Sequence, residues 1–195
     1  MPKETFFSLP DEKRMRVYQA CKQEFEQHPF HEAKVMHIVK ALGIPRGSFY
    51  QYFDDLMECY FYILSKETKE LHGAFIDLIK VYPFEEAIDR YKYLLLEQLI
   101  HSDQYALYRY RFLSWDYRLD QAWAVRFGGT YHSEQKENPV IQVFKAVVHD
   151  LVYRLYAKAW DDQAFIAHYD RELSVVLNGV KHEMMGHPHE KRIKE

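Results

Sequence analysis

Apolar positions along this chain recur at three- and four-residue spacing, the period of helices with one buried face. Val17, Cys21 and Phe25 form the first such stripe. Ser8-Leu9-Pro10-Asp11 leads into it with a capping Ser, an early Pro and a first-turn acid, and His28-Pro29 closes it. A second helix is predicted over residues 33–42 and a third, short one over 46–52. Between them Gly43 stands where the turn needs positive φ, and Pro45 suits the first turn of a new helix. A long fourth helix is predicted from Asp54-Asp55 toward Lys80, with Leu56, Tyr60, Ile63 and Leu64 on its buried side. Pro83 with Glu85-Glu86 opens another, which runs through Leu94 and Leu95 to Ile100. Ser102-Asp103 opens the next, and a shorter helix covers 121–127. Residues 128–137 are polar and read as a loop, and residues 186–195 as a charged tail. Asn138-Pro139 starts a helix with Phe144, Val148, Leu151 and Leu155 on one stripe. Asp161-Asp162 starts the last, striped by Phe165, Tyr169, Leu173, Val176 and Val180, with Asn178-Gly179 as a candidate kink. The predicted fold class is all-α.

The segment 46–52 is two-faced. Phe49 and Phe53, four apart, point one way. Arg46, Ser48, Tyr50, Gln51 and Tyr52 place hydrogen-bonding groups around the rest. A short helix after a glycine turn, with two buried rings and a polar outer face, is the pattern of a helix-turn-helix recognition helix. Its flanks extend the pattern: Val17, Ala20, Cys21 and Phe25, then Phe30-x-x-Ala33, then Ile38-x-x-x-Leu42-Gly43, then Arg46-Gly47-Ser48-Phe49-Tyr50-x-Tyr52-Phe53. Over about residues 9–60 the chain resembles the TetR-type (TetR/AcrR) transcriptional regulators.

That resemblance implies a three-helix DNA-binding domain over residues 1–53 and a helical ligand-binding and dimerisation domain over 54–195. It implies a homodimer that represses transcription from palindromic double-stranded operator DNA and is released by a small hydrophobic or aromatic ligand. The DNA-facing positions would be Lys34, His37, Arg46, Gly47, Ser48, Tyr50, Gln51 and Tyr52. Arg46 would fork onto guanine, while the Tyr50, Tyr52 and Ser48 hydroxyls and the Gly47 amide would meet phosphates. Three residues depart from the family pattern: Lys34 for a Ser or Thr, Leu56 for a Lys that touches phosphate, and Pro29 for a Gly. The dimer face would lie on the last two helices, at Phe144, Val148, Leu151, Leu155, Phe165, Tyr169, Leu173, Val176 and Val180. A ligand pocket would be lined by Tyr91, Glu97, Tyr105, Tyr108, Phe112, Trp115 and Trp123.

Composition adds little to this. The chain is 195 residues long and 48% hydrophobic, with only 7 Gly and 7 Pro, which favours helices. Residues 1–53 carry a net charge of +2 and residues 54–195 a net of −5, the sign expected of a DNA-binding head on a different kind of body. No apolar run reaches the ~18–20 residues of a membrane span, and the first residues lead into no secretory segment, so a cytoplasmic protein without a membrane partner is expected. Cys21 and Cys59 are then expected as reduced, core-facing thiols. His182, His187 and His189 cluster near the end without metal-ligand spacing, so no metal is expected there. No phosphate-binding glycine loop and no nucleophile–base motif is present, so no enzymatic activity and no cofactor are expected. The alternative from a different class is an architectural DNA-binding protein without an inducer.

Overall fold

The computed structural model describes residues 1–67, 69–127 and 139–185, with the backbone alone for 69–72 and 180–185. Every regular element among them is a helix. In chain order these are α1 (Glu4–Phe7), α2 (Asp11–Gln27), α3 (Val35–Leu42), α4 (Arg46–Tyr52), α5 (Leu56–Glu67), α6 (Lys69–Val81), α7 (Phe84–Leu99), α8 (Tyr105–Ser114), α9 (Tyr117–Phe127), α10 (Pro139–Lys158) and α11 (Asp162–Met185). The predicted fourth helix corresponds to α5 and α6 together, with residue 68 between them outside the described residues. The helix expected over 121–127 begins earlier, at Tyr117, because the Asp116 carboxylate accepts the Leu119 amide at 2.9 Å and caps it there. Residues 128–138, Met184 and the tail with His187 and His189 lie outside what is described, wholly or by side chain, as do the side chains of Val180 and His182. Asn178-Gly179, the candidate kink, lies within α11.

Two apolar cores follow from the stripes. The first joins Phe6 of α1, Val17, Cys21 and Phe25 of α2, Ile38 and Val39 of α3, Phe49 of α4, and Cys59, Phe61, Ile63 and Leu64 of α5. It also takes in Leu107 of α8 and Leu119 of α9, so the head is closed by residues of the body. The second joins Phe75, Ile88, Tyr91, Leu95 and Tyr108 to Phe144, Leu151, Leu155, Phe165, Tyr169 and Leu173. Cys21 and Cys59 are wholly buried free thiols, and burial together with the neighbouring Cys21 pushes the Cys59 thiol upward. Such thiols are packing groups rather than nucleophiles.

The second core corrects one expectation. Phe144, Val148, Leu151, Leu155, Phe165, Tyr169 and Leu173 do not present a face to another chain, because each is already buried within this one. Val176 is half-buried against the same core. The stripes on α10 and α11 are spent on each other and on α7. Tyr169 donates its hydroxyl to the Ile88 carbonyl at 2.9 Å and Tyr156 to the Leu99 carbonyl at 3.1 Å, so both buried phenols are satisfied. Arg154 of α10 reaches Glu172 of α11 at 3.0 Å and Asp150 of its own helix at 2.7 Å. Its bonds hold the Glu172 carboxyl below the usual range.

Candidate DNA-binding surface

The turn between α3 and α4 is built as its residues require. Gly43 sits at φ 65° and ψ 32°, in the left-handed region that a Cβ disfavours. That conformation lets the Ile44 amide return to the Val39 carbonyl at 3.1 Å and close α3. Pro45 then stands at the N-cap of α4, one residue ahead of the first helical position. Phe49 and Phe53, each 1% exposed, anchor the helix in the first core with ring centroids 5.3 Å apart.

With the rings turned inward, Arg46, Gly47, Tyr50 and Gln51 are exposed and Ser48 is half-buried. The Arg46 guanidinium lies 3.5 Å from the Tyr50 hydroxyl, one turn along, so the two form one polar ridge. Nothing lies within 4 Å of where a Gly47 Cβ would stand, so the backbone there is open to close approach. Tyr52 departs from the expected set. It is 6% exposed and its ring packs edge-on to Phe6 at 6.3 Å, so its side chain belongs to the core.

Lys34 and His37 come to the surface by way of α2. Lys34 is the N-cap of α3 and its backbone amide donates to Glu24 Oε1 at 2.8 Å. A carboxylate from a neighbouring helix thus satisfies the amide of the N-cap residue itself and places a negative charge at the N-terminus of α3. The Lys34 side chain makes no cap bond of its own and is exposed. His37 lies one turn on, with Nδ1 3.0 Å from Glu24 Oε1.

One part of this surface is absent from the sequence-based prediction. The N-terminal segment folds across the end of α4. The Lys3 amide donates to the Tyr52 carbonyl at 2.9 Å, Lys3 Nζ donates to the Tyr50 carbonyl at 2.8 Å, and the Thr5 hydroxyl donates to the Gln51 carbonyl. These are the last carbonyls of a short helix, which have no partners of their own. Lys3 also pairs with Asp54 at 2.9 Å. Phe6 holds the segment down, wholly buried against Phe53 and Tyr62 at 5.3 and 5.5 Å. The signal in the sequence was Phe6-Phe7, two rings in an otherwise polar stretch ahead of Pro10.

At the start of α5, Leu56 is half-buried against the first core rather than turned to a phosphate path. Asp55 accepts the Glu58 amide at 2.7 Å, and Glu58 reaches back to the Asp54 amide at 2.7 Å, a reciprocal cap that fixes how α5 leaves α4.

The seven residues expected to line one pocket are divided. Trp115 and Trp123 pack on Phe61 in the first core, at 6.0 and 5.3 Å. Tyr91 packs against Phe75 at 5.0 Å. Tyr105 and Phe112 flank Tyr156 at 5.4 and 5.9 Å, and Tyr108 donates to the Glu67 backbone carbonyl at 2.9 Å. Glu97 is exposed and joins none of them. The structure therefore does not bring the seven around one space. Instead it joins the head to the body at two places: Tyr110 of α8 donates to the Gln27 carbonyl at 3.4 Å, and Tyr18 of α2 donates to Glu67 at the end of α5 at 2.6 Å.

Comparison with known proteins agrees with this layout. Residues 17–57 match the family profile described as bacterial regulatory proteins, tetR family, and residues 84–179 match that of the tetracyclin repressor C-terminal domain. Among solved structures, a TetR family transcriptional regulator from Chloroflexus aurantiacus J-10-fl superposes with a TM-score of 0.56 at 19% identity, over 92% of this chain and 98% of that one. At that identity the likeness is one of fold. A search of curated proteins gives no match.

Proposed function

Because the chain belongs to the TetR family of transcriptional regulators, we propose that it acts as a homodimeric repressor of palindromic operator DNA, with α4 as its recognition helix and a small hydrophobic ligand as its release signal. The observation that carries this reading is the ridge of Arg46, Gly47, Ser48, Tyr50 and Gln51, held outward by the buried Phe49 and Phe53. Residues 1–53 form the proposed DNA-binding domain and residues 54–195 the body. Arg46, at the first position of α4, reads a base edge, and Tyr50 and Ser48 bind phosphate oxygens with the Gly47 amide. The exposed Lys34 adds positive charge beside that ridge. Tyr52 carries no contact in this scheme.

The reading is tested by duplex binding of single-residue variants. Arg46→Ala should relax preference at one base pair per half-site by about 1–3 kcal/mol. Tyr50→Phe should weaken all sequences alike, by about 0.5–1.5 kcal/mol. Fluorescence anisotropy against duplexes varied one base pair at a time separates the two. Unchanged preference in Arg46→Ala would remove the base-reading role.

The dimer is proposed on the outer face of α10 and α11, not on the stripes buried inside the subunit. Val143, Tyr153 and Val175 are 51%, 45% and 68% exposed there. Val143, Ala146, Asp150, Tyr153 and Ala157 follow one another at three- and four-residue intervals and are all exposed, a second stripe on the side of α10 away from its core. Val143→Glu with Val175→Glu should give monomers by sedimentation equilibrium, since paired copies would bury two unpaired carboxylates each. A double variant that sediments as wild type would move the interface elsewhere.

The release signal is proposed to act through α8. That helix touches the head at Tyr110–Gln27 and touches the end of α5 at Tyr108–Glu67. A ligand that shifts α8 would therefore turn both recognition helices, and two half-sites at fixed spacing tolerate little change in their separation.

A further inference from the structure

We propose that Glu24, His28 and His37 form a binding site for a zinc-class divalent cation that ties the end of α2 to the start of α3. The three residues come from three different structural positions. Glu24 lies in the last turns of α2 and is 4% exposed. His28 is the extended residue that ends α2, and His37 lies in the first turn of α3. One ligand atom from each lies within 4.8 Å of the other two. Glu24 Oε1 and Oε2 are 3.0 and 3.2 Å from His37 Nδ1, and the His28 and His37 rings lie beside each other, tilted by 43°, with centroids 5.3 Å apart.

The donor set decides the class of ion. Two imidazoles and one carboxylate suit borderline divalent metals, above all Zn²⁺, and not Mg²⁺ or Ca²⁺, which take oxygen ligands. Three protein ligands leave a fourth position for water. Glu24 Oε1 also accepts the Lys34 amide at 2.8 Å, which orients the carboxylate from outside the ligand set. Half of the arrangement has an ordinary explanation, since a carboxylate–imidazole pair stands by itself. His28 does not share in it: among the described residues its half-buried ring nitrogens have no hydrogen-bond partner, yet the ring is placed beside that pair. A cation uses this lone imidazole and cancels the charge of a carboxylate that is otherwise nearly removed from water. With His37 45% exposed, the ion has a path in.

The test uses zinc and the free protein, so its outcome is separate from the DNA-binding reading. Zn²⁺ titration against a chromophoric chelator should show one tight ion per chain. His28→Gln and His37→Gln should each weaken it by more than about 10-fold, the lower end of what losing even an outer partner costs. The triple variant His182→Gln, His187→Gln, His189→Gln should bind as wild type, which sets aside the other histidine cluster. Without metal, His28→Gln should melt as wild type, since that ring has no hydrogen bond to lose, and His37→Gln should still melt cooperatively, its amide able to donate to Glu24 in place of Nδ1. X-ray absorption of the zinc-loaded protein should report two imidazole ligands. No uptake by wild type, uptake unchanged in the His28→Gln/His37→Gln double variant, or a shell without two imidazoles would each overturn the site.

Discussion

Phe61→Ala is expected to lower the stability of the whole chain by about 3–5 kcal/mol, the range for a large ring removed from a core. Phe61 is wholly buried on α5. It lies among Trp115, Trp123 and Phe127, at 6.0, 5.3 and 6.5 Å, and under the Arg126 guanidinium at 5.9 Å. Those partners come from α9 and the segment between α8 and α9, so the ring ties α5, on which α2 and α3 also pack, to the α8–α9 corner. A typical domain is stable by about 5–15 kcal/mol, and the loss therefore takes a large share of the total. Urea unfolding should show a lower midpoint. Tryptophan emission should shift with it, because two of the chain's 3 tryptophans line the site. An unchanged midpoint would mean that α5 and the α8–α9 corner are not packed as described.

Phe6→Ala is expected to remove a similar amount, about 3–5 kcal/mol, and to weaken operator binding as well. Phe6 is wholly buried beneath Phe53 and Tyr62, so its loss opens a cavity behind the recognition helix. It also frees the segment whose Lys3 and Thr5 satisfy the last carbonyls of α4. Lys3→Ala removes one such bond and a cation at the helix C-terminus while leaving the ring in place. It should therefore cost only about 1 kcal/mol. Thermal melts and amide exchange at residues 51–53 distinguish the two: exchange should quicken in both variants, and global stability should drop substantially only in Phe6→Ala. Slow exchange in Phe6→Ala would show that α4 does not depend on the N-terminal segment.

Much of the head was legible in the sequence because local rules and packing agree there. Gly43 is needed for its φ, Phe49 and Phe53 by their spacing, and Arg46 and Tyr50 are left outside as a consequence. Tyr52 departs from its motif position, at 6% exposed, because a motif position says nothing of what lies behind it. The ring of Phe6, supplied by a segment without a motif, is what buries it. The body was legible as helices but not as surfaces. Periodicity shows that Phe165, Tyr169 and Leu173 share a face and cannot show whether α7 or a second chain covers it. The exposed stripe of Val143 and Tyr153 is shorter and mixed with Asp150, so it is faint beside the core stripe of the same helix. The family resemblance implies one pocket among the aromatic residues of α7–α9, whereas the fold sends Trp115 and Trp123 toward α5 and Tyr91 toward α6. Glu24, His28 and His37 span a helix end and a turn, so no regular spacing connects them.

The central claim is that α4 reads DNA as one of a symmetric pair. Selection of bound duplexes from a random library by the full-length protein, followed by sequencing, tests it most directly. The account predicts one enriched motif made of two inverted half-sites, their centres about 10 base pairs or a multiple of that apart, and its loss in the protein with Arg46→Ala and Tyr50→Phe together. Recovery of no motif, or of the same motif by the double variant, would contradict it.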